Sequence, residues 1–204
     1  MTGQVGEAWS LHHQVINLPI AVLHNAKDTT ELMPLLPKER VERMFQLHNK
    51  QWLASQTFAR LKAIFAGQSG TALPHRITKV VAYACGSMAP AARDAECRSD
   101  LRRSIWQHAM VLSIRDFLLA RCGNAKGEVR CFAQDPIYED VDKVVLDEAG
   151  VSVLNDPRAH LEVDETSVVV GIAAMIPLRQ IVADIARPAV LIWARIVEND
   201  NPAK

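Results

Sequence analysis

The sequence predicts an α/β domain, a doubly wound and mainly parallel five-stranded sheet preceded by an extended arm and a long helix. Three observations carry that prediction. After residue 71, short apolar runs alternate with helical stretches, which is the pattern of βαβ units rather than of an antiparallel sheet. Most of those runs are continuously apolar and rich in Val, Ile or aromatic residues, as strands are when helices cover both faces of a parallel sheet. With 204 residues, 49% apolar and 23% charged, the chain is long enough to bury one real core.

Residues 1–37 read as an extended arm, because Leu18-Pro19, Met33-Pro34 and Leu36-Pro37 each push the residue before proline out of helix geometry. Val15, Ile16, Ile20, Val22 and Leu23 are too many apolar residues for a free tail, so the arm is expected to lie along the domain surface. A single domain then runs over 38–204. Between 38 and 66, Val41, Met44, Phe45, His48, Trp52, Phe58, Leu61 and Phe65 recur mostly at three- and four-residue steps before Gly67, which predicts one long amphipathic helix. Strands are predicted at 77–84, 129–134, 151–155, 166–173 and 189–195. The crossover helices fall at 100–122, with Ser99 as N-cap and Gly123 as stop, at 138–149 before Gly150, and at 178–186. Right-handed crossovers place the first and fourth strands side by side in a Rossmann-like order. Ligands of such sheets bind beyond the strand carboxyl ends at the point where the winding reverses, here at 85–90, 135–138 and 174–177.

Composition excludes several classes of function. Lys plus Arg and Asp plus Glu are balanced at 23 each, so a partner bound mainly through phosphates, nucleic acid above all, is not expected. The uncharged apolar stretch 166–178 has 13 residues, whereas a membrane-spanning helix needs about 20. No secretory signal is legible in the first ten residues. Cys85, Cys97, Cys122 and Cys131 are spaced by 12, 25 and 9 residues, which fits no zinc or redox pattern and points to reduced thiols in a cytoplasmic protein.

Candidate chemistry gathers at the predicted strand ends. The run from Val80 to Met88 is a strand entering a glycine turn, where a nucleotide phosphate would meet backbone N–H groups, although Gly86 is the turn's one glycine. An ordinary strand-to-loop turn is the plain alternative. In a functional turn Gly86 supplies close approach, Ser87 a hydroxyl and Met88 an apolar wall. Cys85 falls at the same strand end, but a nucleophilic role requires a base that the sequence does not place. Asp135 ends the second strand, in the place of a ribose-binding acid, or else shapes a turn with Pro136. Tyr138 offers a phenol to the same pocket or covers the sheet edge. His108, inside the long apolar helix, has no partner at metal-ligand spacing and reads more simply as a core histidine. On the last crossover helix, Arg179 could reach an anionic ligand, while Gln180 and Asp184 share a face. Asp94, Glu96 and Arg98 flank Cys97 in a predicted loop that could cover the pocket, and 162–165 reads as a solvated charged run.

These segments carry a resemblance. Tyr83-x-x-Gly86-Ser87 at a strand end, Gln107-His108-Ala109 on a helix, Asp135-Pro136-x-Tyr138 and Gly150 resemble the sensitivity-to-red-light-reduced-like (SRR-like) domain, in particular its fungal members. Val163-Asp164-Glu165-Thr166, the stretch from Pro177 to Asp184, Pro188-Ala189, and Trp52 with Ser55 agree with the same pattern, which spans residues 40–197. The resemblance implies a family associated with circadian and light responses, cytoskeletal phenotypes and haem metabolism, without one agreed reaction. Two departures stand out. Ala84 replaces the first glycine of the family's Gly-Leu-Gly-Ser turn, and Ala174, Met175 and Ile176 replace the usual Pro with Asn or His after the fourth strand. Both make the pocket mouth more apolar.

Tyr83, Cys85, Gly86, Ser87, Met88, His108, Asp135, Tyr138, Ala174, Met175, Ile176, Arg179 and Gln180 are therefore the expected lining of a site for a small apolar metabolite. No cofactor or metal is expected. Such a site could isomerise or cyclise its ligand in fungal specialised metabolism. The alternatives are a non-enzymatic regulatory or haem-related member of the family and, on fold analogy alone, an S-adenosylmethionine-dependent methyltransferase.

Overall fold

The computed structural model describes residues 36–67, 76–89, 95–121, 129–172, 174 and 177–194. The arm expected over 1–37 lies almost entirely outside them. Among the described residues the chain runs α1 (Lys38–Leu53), α2 (Gln56–Phe65), β1 (Lys79–Tyr83), α3 (Ala95–Arg121), β2 (Arg130–Gln134), α4 (Asp140–Glu148), β3 (Ser152–Val153), α5 (Arg158–Leu161), β4 (Ser167–Gly171), α6 (Leu178–Ile185) and β5 (Val190–Trp193). The strands form one sheet in the order β3-β2-β1-β4-β5, and each neighbouring pair is parallel. The winding reverses between β1 and β4, as the sequence predicts, and their carboxyl ends flank the crevice where doubly wound folds bind ligands.

Alternation along the strands divides the core in two. Val80 and Ala82 of β1, with Val168 and Val170 of β4, face a large cluster built with Ile105, Met110 and Ile114 of α3 and with Val41 and Trp52 of α1. Val81, Tyr83, Phe132 and Val169 face a smaller cluster closed by Ala159 of α5 and by Leu178 and Val182 of α6. Because consecutive strand residues point to opposite faces, Tyr83 and Cys85 share one face parity while Ala82 has the other. The chain leaves β1 through Ala84 at φ +54°, and that kink carries Cys85 over to the large cluster.

Three predicted features are corrected. The single helix expected over 38–66 is two helices, broken at Ala54 and Ser55, where the Ser55 hydroxyl accepts the Phe58 N–H at 3.1 Å and starts α2. The break lets Trp52 bury completely. Its indole N–H donates to Ser113 Oγ at 3.0 Å, and it meets Phe58 and Trp106 edge-on at 6.2 and 5.8 Å. The loop expected around residues 94–98 is also revised, since α3 is already helical from Ala95 and Ser99 lies inside it rather than capping it. The 162–165 run is no mere solvated loop either. Asp164 accepts from Lys79 Nζ at 2.6 Å and from the Thr166 N–H and hydroxyl at 2.9 and 2.7 Å, tying the amino ends of β1 and β4 together.

Candidate functional site

The turn after β1 is built from left-handed backbone and is tied to three other elements. Ala84 and Gly86 adopt φ of +54° and +80°. Gly86 favours glycine because of its left-handed backbone, since a Cβ there would make only an ordinary contact with Ser104 Cβ of α3 at 3.4 Å. Ala84 carries a Cβ in that conformation, where the resembling family commonly has glycine. Ala84→Gly is therefore expected to stabilise the fold by about 0.5–1 kcal/mol, the strain relieved less the added chain entropy of glycine. Urea denaturation reads this as a higher midpoint.

Three of the turn's backbone donors are satisfied by side chains of the protein itself. Gly86 N–H donates to Asp135 Oδ2 at 2.7 Å, Met88 N–H to Asp142 Oδ1 at 2.7 Å and Ala89 N–H to Ser87 Oγ at 2.9 Å. Ser104 Oγ donates to the Gly86 carbonyl at 2.6 Å. Asp135 also accepts the Ile137 N–H at 3.0 Å, and Asp142 reaches back to the Glu139 N–H at 2.9 Å, at the start of α4. Burial raises the Asp135 carboxyl above its ordinary range, against the lowering effect of the Ile137 and Gly86 N–H groups. Asp142 is wholly buried.

Behind this turn lies a neutral, hydrogen-bonded relay. His108 sits one helical turn after Ser104, and its Nδ1 is 2.8 Å from the Ser104 carbonyl. A carbonyl only accepts, so Nδ1 carries the proton and Nε2 is left to accept the Tyr138 hydroxyl at 2.8 Å. Burial lowers the His108 pKa to about 4, overriding the Ser104 carbonyl and the Asp142 carboxylate, which act the other way. Burial likewise raises the Tyr138 phenol and the Cys85 thiol. Imidazole, phenol and thiol are thus all uncharged at neutral pH. Cys85, at 1% exposure in the large core cluster, is a protonated thiol and not an activated nucleophile.

On the opposite face, Tyr83 stacks on His160 of α5, with ring centroids 5.0 Å apart and planes within 16°. Gln134, at the end of β2, clamps the turn carrying α5. It donates from Nε2 to Asp156 Oδ1 at 2.8 Å and accepts the Ala159 N–H at 3.0 Å on Oε1. The Tyr83 hydroxyl and His160 Nδ1 are buried without a hydrogen-bond partner.

Of the expected lining, Cys85, Gly86, Ser87, Met88, His108, Asp135 and Tyr138 come together around the β1 turn. Tyr83 joins Ala174 in the smaller cluster on the other face. Arg179 and Gln180 are exposed on α6. Met175 and Ile176 lie outside the described residues. Sequence reading missed Ser104, Asp142, Gln134 and His160. Ser104 is four residues before His108 on one helix face, a spacing that could have found it, whereas the partner of Asp142 lies 54 residues away along the chain.

A surface groove of about 220 Å³ between α1, α3 and α4 reaches Met88 past Phe45 and Leu112, with Glu42, Gln46 and Glu148 among its lining. Among the described residues no group of three or more His, Cys, Asp or Glu could hold a metal ion, and no helix is long and apolar enough to cross a membrane. Residues 38–202 match the family model described as the SRR1 domain. No curated protein and no solved structure matches the chain.

Proposed function

This chain belongs to the SRR1 domain family, and on that premise we propose that it binds a small, largely apolar metabolite at the carboxyl ends of β1 and β4. As a fungal-type member acting in the cytoplasm, it would serve specialised metabolism and promote an isomerisation or cyclisation without a cofactor. Holding a flexible molecule in its reactive conformer can lower a barrier by several kcal/mol with few charged groups. One observation carries the reading: the Gly86 and Met88 N–H groups, which in a nucleotide-binding turn would meet a phosphate, each hold one of the chain's own carboxylates at 2.7 Å. A phosphate entering there would displace two hydrogen bonds and face Asp135 and Asp142. An uncharged ligand meets neither obstacle.

The test is native mass spectrometry of protein purified from its own organism, joined to thermal shifts with NAD, ATP, S-adenosylmethionine and apolar compounds. A retained apolar molecule, with stabilisation confined to apolar compounds, is the expected result. Tight binding of any adenosine-containing ligand overturns the proposal.

A regulatory reading, with haem or a protein as the partner, is favoured by a separate observation. Leu47 and Leu53 of α1 are 56% and 48% exposed, as apolar residues at a protein contact would be in the free domain. Alanine at Cys85 and Met175 separates the two readings, because it damages a pocket function and leaves a regulatory phenotype intact.

A further inference from the structure

We propose that Tyr83 and His160 form the polar end of the ligand site, and that the ligand they take presents a neutral hydroxyl group, of an alcohol, phenol or enol, on an apolar body. The inference rests on the reading that a small apolar molecule meets the carboxyl edge of the sheet, and adds the chemistry by which it is held.

Tyr83 is the last residue of β1 and is 2% exposed, and His160 of α5 is 7% exposed. Buried polar groups are nearly always paired, since an unpaired one forfeits its hydration without return. Here two stacked rings each bury a polar atom with no partner, the Tyr83 hydroxyl and His160 Nδ1. Their hydrogen-bonding roles are complementary. In the imidazole tautomer whose Nε2 N–H faces the Asp156 carboxylate, 3.9 Å away, Nδ1 is an acceptor. Burial, with Asp156 second, raises the Tyr83 phenol, so it stays an O–H donor.

A donor and an acceptor on two stacked rings can both be satisfied by one hydroxyl, whose oxygen accepts from Tyr83 and whose hydrogen goes to Nδ1. A carboxylate or an ammonium could satisfy only one of them. The cluster that Tyr83 shares with Val81, Val169, Leu178 and Trp193 is apolar, which again favours a neutral group over an ion. Gln134 is already committed to Asp156 and Ala159, so it holds the α5 turn and does not compete for the ligand.

The experiment uses the full chain labelled with ¹⁵N-histidine. The ring nitrogens of His160, assigned from the signal missing in His160→Phe, are followed during titration with phenol and with toluene, which has the same shape without the hydroxyl. Phenol is expected to move the Nδ1 signal saturably and toluene to leave it in place. Tyr83→Phe should weaken phenol binding about tenfold, the loss of one hydrogen bond. The same variant should melt at a higher temperature, because it deletes a buried hydroxyl without a partner, so its folding is not in question. Three results overturn the inference: His160 signals unmoved by millimolar phenol, which would mean that a buried water alone serves the pair; equal responses to phenol and toluene; or unchanged phenol affinity in Tyr83→Phe. Equal responses leave the apolar-ligand reading standing, whereas displacement of either probe by an adenosine-containing ligand removes that reading itself.

Discussion

Asp142→Ala is expected to lower the unfolding free energy by about 4 kcal/mol, the largest effect of any single polar substitution in the candidate site. The side chain is wholly buried and its two oxygens do separate work. Oδ1 accepts the Met88 N–H of the turn after β1, and Oδ2 accepts the Glu139 N–H that opens α4. Each is a hydrogen bond to a carboxyl oxygen, worth about 1.5–3 kcal/mol, and alanine leaves the buried Met88 N–H and the part-buried Glu139 N–H without that partner. The amino-terminal position in α4 adds a favourable interaction with the helix dipole. Asp142→Asn should lose about half as much, because an amide keeps one acceptor oxygen and turns an NH₂ toward the other donor. Urea denaturation at neutral pH decides the matter through the midpoint at unchanged slope. A loss below 1 kcal/mol for the alanine variant would mean that water replaces the carboxylate, and that the turn is not closed from within.

Asp142 also marks where the sequence stops being legible. The sheet could be read because its determinants are local: Val80 to Ala82, Val168 to Val170 and Val190 to Trp193 are apolar runs, and parallel crossovers admit few orders. The convergence of Cys85, Gly86, His108, Asp135 and Tyr138 could be anticipated because doubly wound folds bring strand ends to one edge. What escaped was decided by tertiary contacts. The helix break at Ser55 has no proline or glycine to announce it, only a capping serine and a six-residue step from Trp52 to Phe58 in the apolar pattern. Burial of Trp52 against Ser113 selects the break, and Ser113 belongs to another helix. Asp142 looks like any first-turn carboxylate, and only the fold brings Met88 to it. His160 sits in a four-residue helix beside a charged stretch, with nothing nearby in sequence to suggest a tyrosine stacked on it. The carboxyl edge was legible as a place, while the distribution of its groups over two faces of the sheet was not.

The unfolding free energy should fall by about 3 kcal/mol as the pH drops from 6.5 to 4, and His108 is the residue that sets this window. Its pKa in the folded protein is about 4, against 6.5 for an ordinary histidine, because burial disfavours the imidazolium. Between those two values the unfolded chain takes up a proton at His108 that the folded chain refuses. Stability is therefore complete above pH 6.5, is lost progressively toward pH 4, and levels off below it. Two carboxylates act with different signs or in different ranges. Asp135, raised chiefly by burial, binds its proton in the folded state before the unfolded one and so adds stability on acidification. Asp164 is held well below the usual carboxylate range, where hydrogen bonds from Lys79, Thr166 and Ser167 outweigh burial, so its loss begins only near and below the ordinary value of 3.8. The His108 contribution is isolated by difference, as the wild-type profile minus that of His108→Gln, both measured by urea denaturation from pH 7 to 4. The glutamine variant keeps hydrogen-bonding capacity toward Ser104 and Tyr138 and has no proton to gain. Its profile should lack most of the decline, whereas parallel profiles for the two proteins would show that His108 is already solvated or already charged in the native state. A charged His108 could not accept the Tyr138 hydroxyl at Nε2, and a solvated one would not be sealed in the core, so in either event the buried, uncharged relay behind the β1 turn would lose its basis.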